Sequence, residues 1–248
     1  MRTATLDQPT APGTAKSAAT ATAPVPASNH STSPPVVHPG SSVRRTARIV
    51  GVLFLAGYLA YGPGSPIAAG IVHSGHRGSS TALFVTGAAL MLLNSAFVIG
   101  IGVLMFPILR PHNKDIAAGY VGTRIFEGVV LAIGVVTLIV LTGERAKDVN
   151  AVFYSVAEVG LGIGSLFFCA LLFRTGLVPR FLAVWGFIGY ACFAGGTLLE
   201  LFGVAGAGLV GAIPGGLFEL TFGIWLIARG FAPPRPSAPR APVAALLT

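Results

Sequence analysis

The sequence predicts an all-α fold: a polytopic membrane protein whose spans form a six-helix transmembrane bundle, with disordered N- and C-terminal tails. Three observations lead there. Of the 248 residues, 53 % are hydrophobic and 10 % charged, and mean hydropathy is +0.78; a soluble domain of this size needs many more charges to cover its surface. Apolar windows of about 20 residues, enough to cross a hydrocarbon core of about 30 Å at about 1.5 Å per residue, recur along the chain. All are of helix length, and none has the short period-2 pattern of an outer-membrane barrel.

Residues 1–43 are Ala, Thr, Ser and Pro with almost no large apolar side chains. Such a segment cannot bury enough surface to offset its ordering entropy, so it reads as a disordered tail. No apolar h-region precedes Ile49, so no signal peptide is expected. The run "RRTAR" at 44–48 is suited to anionic lipid headgroups. The transmembrane domain spans 44–231. Residues 232–248, containing "PPRPSAPRAP", form a second disordered, Pro-rich, basic tail.

The first window, 49–69, holds Pro63 and Pro66, which a bundle tolerates because neighbouring helices re-satisfy the backbone. The loop after it carries "HSGH", His73 and His76. Two ligands without a third make no metal site, so this reads as an exposed polar loop. The second window, 83–109, places Asn94 near mid-depth, where its amide can bond across helices and hold them together. The third, 119–142, contains Arg124 and Glu127. The fourth, 152–173, aligns Glu158, Gly162, Ser165 and Cys169 in one stripe of small or polar residues, with Glu158 in the outer third and open to external water. The fifth, 181–202, ends near Glu200, which reads as interfacial. The sixth, 206–228, carries Gly211, Gly215, Glu219 and Gly223 at four-residue spacing, a small-residue face another helix can approach closely. Glu219 lies ten residues from Arg229, about 15 Å into the helix.

Lys and Arg in the loops set the orientation. The N-terminal tail, second loop, fourth loop and C-terminal tail together carry twelve, against Arg77, Arg145 and Lys147 on the other side. Both termini are therefore expected in the cytoplasm of a bacterial inner-membrane protein. The net charge of +8 is mostly this asymmetry. No folded basic face exists for nucleic acid, so the expected partner is the lipid bilayer, with a protein partner or homo-oligomer left open.

Arg124 and Glu127 are the costly residues. Thirteen Leu, Ile, Val and Phe in the third window supply roughly −4 to −8 kcal/mol of insertion free energy, whereas a central Arg and Glu oppose it by roughly 5 to 7. Two escapes exist. Ile125–Thr142 is just long enough to span alone, letting Arg124 snorkel to the headgroups. Otherwise Arg124 pairs with Glu127 at i, i+3, or with Glu219 at similar depth on the last span. Intramembrane ionisable groups mark functional sites by default, so the candidate polar cluster is Arg124, Glu127, Glu219, Glu158 and Asn94.

Other chemistry finds no support. There is no HExxH and no Walker-type phosphate loop. "GIGSLFF" at 162–168 presents a serine in a span, but no histidine lies in any span to serve as its base. Paired aspartates are missing from the spans as well. No cofactor, no metal and no enzymatic activity are expected.

Four stretches carry a family likeness: "RRTARIVGVLFLAG" (44–57), "GYVGTRIFEGVVLAIG" (119–134), "LVPRFLAVWGFIGY" (177–190) and "LFELTFGIWLIARGF" (217–231). In that order they resemble the bacterial six-helix membrane family catalogued as domain of unknown function 4386, over about 44–231. The resemblance implies a multi-pass inner-membrane protein, places Arg124, Glu127 and Glu219 at positions resembling the family pattern, and implies no activity. The functional expectation is a small transporter or ion- or proton-coupled protein; the alternative is a non-catalytic scaffold or regulatory partner subunit.

Overall fold

Six helices follow one another along the chain, each long and apolar enough to cross a membrane. The structure, a computed structural model, describes residues 39–74, 78 and 80–232. The helices are α1 (Pro39–Ser74), α2 (Thr81–Leu109), α3 (Lys114–Val140), α4 (Gly143–Thr175), α5 (Arg180–Leu201) and α6 (Ala207–Ala228), with no strand among the described residues. The tails expected to be disordered lie, for 1–38 and 233–248, outside the described residues, as does His76.

The connections at 110–113, 141–142, 176–179 and 202–206 are too short for anything but antiparallel neighbours. Each helix packs on the next, and α1 closes the ring against α6 while also reaching across to α4. The bundle therefore has an arginine-rich end, with Arg110, Lys114, Arg174, Arg180 and Arg229, and an opposite end, with His73, Glu144, Arg145 and Lys147. Leu59, Val140, Phe167, Phe181, Leu209 and Val210 are exposed on the outside of the ring, as lipid-facing side chains must be in a bilayer solvent.

Helix ends differ from the hydropathy windows where polar residues continue a helix. The first helix starts at Pro39, ahead of the boundary expected at 44; proline suits a first turn because its missing N–H would have no partner there. The fourth starts at Gly143 rather than at 152, because "GERAKDVNA" is helical although too polar to score as a span. There Glu144 pairs with Lys147 at 3.1 Å and meets His73 of α1. The third starts at Lys114, where the Asn113 side chain accepts a 2.9 Å bond from the Ile116 amide. Asn113→Ala should therefore lower stability by about 1 kcal/mol, read as a small fall in unfolding temperature in detergent.

The small-residue face of α6 is shared between two neighbours. Gly211 and Gly215 abut Gly196 and Gly189 of α5, and Gly223 abuts Gly51 of α1. A four-residue repeat drifts around a 3.6-residue helix, so one stripe serves both contacts. Toward the arginine-rich end an aromatic layer fills the bundle. Tyr120 of α3 stacks on Phe168 of α4 at 4.3 Å, and Phe168 meets Phe222 of α6 edge-on at 5.9 Å. Phe54 of α1 and Phe218 also touch Phe222, and Tyr190 of α5 touches Phe218.

Candidate functional site

Directly above that layer sits Arg124, only 1 % exposed and the largest of the fully buried side chains. Its position on α3 follows from close packing: a methyl group added at Gly102 of α2 would lie 2.7 Å from Arg124 Cβ, so the two helices meet where one lacks a side chain. The guanidinium is gripped from several sides. Nε donates to the Tyr120 hydroxyl at 3.0 Å, and Nη1 donates to Glu127 Oε2 at 3.0 Å. Nη2 donates to the Tyr190 hydroxyl at 3.3 Å and to Glu219 Oε1 at 3.4 Å. The Phe54 ring lies 5.1 Å from its central carbon. Arg124 thus pairs with both glutamates, and the snorkelling alternative is excluded.

Glu219 is held as firmly. Tyr190 donates to Oε1 at 2.7 Å and Tyr58 of α1 donates to Oε2 at 3.1 Å, leaving the carboxylate 14 % exposed. The network ties α1, α3, α5 and α6 together through charge-assisted bonds, which are stronger than neutral ones.

On the side away from the aromatic layer lies a cavity of about 160 Å³, room for on the order of five waters at their liquid volume of about 30 Å³. All six helices line it. Arg124, Glu127 and Glu219 form one wall; Asn94 of α2, Glu158 and Tyr154 of α4, Tyr58 and Tyr61 of α1 and Phe193 of α5 complete it. Tyr61 and Tyr154 stack with centroids 5.5 Å apart.

Glu158 and Asn94 sit differently from their expected settings. Glu158 is 6 % exposed and lies midway between Gly143 and Arg174, not in an outer third open to water. The charged first turns of α4 extend the bundle beyond it. Among the described residues no hydrogen bond or ion pair engages its carboxyl. Asn94, 8 % exposed, was expected to bond across helices; its Oδ1 points toward Gly57 of α1, and among the described residues no hydrogen bond engages its amide. Glu200 is exposed in the last turn of α5 and takes no part in the cavity.

Sequence reasoning missed the tyrosines. All five in the chain belong to the site: Tyr58, Tyr61 and Tyr154 line the cavity, and Tyr120 and Tyr190 bond Arg124. A signal is present for Tyr58, Tyr61 and Tyr190, which occur well inside the windows although spanning helices concentrate tyrosine at the interfaces; Tyr120 and Tyr154 fall at window edges and give none.

The fold and site together define a class: an integral, multi-pass helical membrane protein whose spans enclose a polar cavity beside a buried arginine. Within that class the chain belongs to the family described as domain of unknown function DUF4386, whose model matches residues 49–230. No curated protein matches the chain, and no solved structure does.

Proposed function

We propose that this protein is a small ion- or proton-coupled transporter of the bacterial inner membrane, with both termini cytoplasmic and no enzymatic activity. One observation carries the reading. Arg124, Glu127, Glu158, Glu219 and Asn94 all face a single cavity to which every helix contributes, and ionisable groups kept inside a membrane mark solute or ion paths. The aromatic layer packs between the cavity and the arginine-rich end, an arrangement that suits one state of an alternating-access cycle. Twelve basic residues in the tails and loops of one side against three in the loops of the other support the orientation.

The test is flux in liposomes holding the full-length protein, with ion or pH gradients reported by a dye. Wild type should dissipate or exploit a gradient, and Glu219→Gln and Arg124→Ala should fall to the level of protein-free liposomes. Equal flux in all three preparations would sink the reading.

A scaffold or regulatory partner is the second reading, and the engagement of Arg124 by four oxygen partners favours it. Such a network can serve only to set helix register. On that reading Glu219→Gln lowers thermal stability without any flux to lose, and pull-downs return one constant partner.

A further inference from the structure

The cavity contains more than the Arg124 network needs. Three carboxyl groups and one guanidinium line it, and the guanidinium already meets Glu127 and Glu219. Glu158 remains: a carboxyl 6 % exposed, on the cavity wall, with no hydrogen-bond or ion-pair partner among the described residues. The nearby wall is aromatic. Tyr154 precedes Glu158 by one turn on the same face of α4, Tyr61 stacks on Tyr154 from α1, and Tyr58 lies one turn before Tyr61.

We infer that the cavity binds a small organic ammonium ion, its charge against Glu158 and its carbon body among Tyr58, Tyr61 and Tyr154. The inference rests on the reading of this cavity as a solute site and names the solute's chemical class. Four alternatives fit worse. An anion fits worse, because most of the N–H donors of Arg124 already go to Tyr120, Glu127, Tyr190 and Glu219, and three carboxyl groups share the cavity lining. A hard metal ion requires about six oxygen ligands, and no group of three His, Cys, Asp or Glu among the described residues can hold one. A neutral apolar solute leaves the Glu158 carboxyl and the Asn94 amide without partners, which burial penalises. Water alone satisfies the carboxyl but makes no use of three aromatic side chains. An alkylammonium uses all of them: a charge for the carboxylate, an N–H for the Asn94 carbonyl oxygen, and a cation that aromatic rings attract.

The experiment is isothermal titration of the purified full-length protein in detergent with n-propylammonium chloride, set against n-propanol, NaCl and KCl. Saturable binding of propylammonium is expected, at least about tenfold tighter than that of the alcohol or the alkali cations. Glu158→Gln should weaken it at least about tenfold while keeping the wild-type elution volume, and Tyr61→Leu should weaken it as well. The wild-type comparison stands even where a variant fails to fold. Equal binding of propanol, equal binding of Na⁺ or K⁺, no saturable heat with any alkylammonium from methyl to butyl, or a Glu158→Gln protein that binds as wild type would each overturn the inference. Its failure separates from that of the transport reading. Flux that depends on Glu219 without ammonium binding removes the ammonium inference alone. Ammonium binding without flux supports the ligand and removes transport.

Discussion

Replacing Arg124 with leucine should destabilise the protein by about 3–5 kcal/mol, because it strips two buried carboxylates of their shared counterion. Glu127 and Glu219 are separated from Nη1 and Nη2 by 3.0 and 3.4 Å, and Arg124 is 1 % exposed, so water in the adjoining cavity replaces the lost cation only in part. At roughly 2–4 °C per kcal/mol for a domain of this size, unfolding in detergent should begin about 6–20 °C lower. Arg124→Lys should fall between, since it keeps the charge but not the planar fork that reaches Tyr120, Glu127, Tyr190 and Glu219. The triple replacement Arg124→Leu, Glu127→Leu, Glu219→Gln should recover much of the loss, because removing a whole buried network is far milder than breaking it. An unchanged melting temperature in Arg124→Leu would show that the arginine is not held as described.

The second large effect comes from a glycine rather than a charge. Gly102→Val places a branched side chain where even a methyl group would lie 2.7 Å from Arg124 Cβ and 3.2 Å from its Cγ. Those atoms are the root of a side chain fixed at its far end by four hydrogen-bond partners, so they have nowhere to go. Glycine to valine gains about 0.5 kcal/mol of helix propensity, but overpacking opposes it by about 1–3 kcal/mol. The steric term therefore wins. The expected result is a protein less stable by about 2 kcal/mol whose α2–α3 separation has grown. A companion substitution at Gly119, where an added Cβ meets nothing within 4 Å, should show no such loss.

How much of this was legible beforehand depends on the physics each feature obeys. The six spans could be read because crossing a bilayer imposes a length and a hydropathy that no other soluble constraint mimics. The ends of α1 and α4 could not, since "PGSSV" and "GERAKDVNA" satisfy helical hydrogen bonding without being apolar. Arg124, Glu127, Glu158, Glu219 and Asn94 stood out because a polar group in an apolar window is conspicuous. Which of them touch was not readable, because it depends on α1 closing the ring against α6, which puts Tyr58 beside Glu219 across 161 positions of chain. The tyrosines stayed hidden for a related reason: hydropathy counts them as apolar, and their hydroxyls matter only once a buried guanidinium lies within reach. Glu158 reads as superficial in the sequence because the apolar window starts at 152, whereas the helix starts at Gly143.

The central claim is that the bundle divides into a closed strut around Arg124 and an open polar cavity holding Asn94 and Glu158. The most direct test is thiol accessibility in intact membranes. With Cys169 and Cys192 replaced by alanine, a cysteine introduced by Asn94→Cys should react with aminoethyl methanethiosulfonate from the aqueous phase, far faster than one introduced by Phe168→Cys within the aromatic layer. Equal and negligible modification at both positions would mean that the interior is dry throughout and would contradict the account.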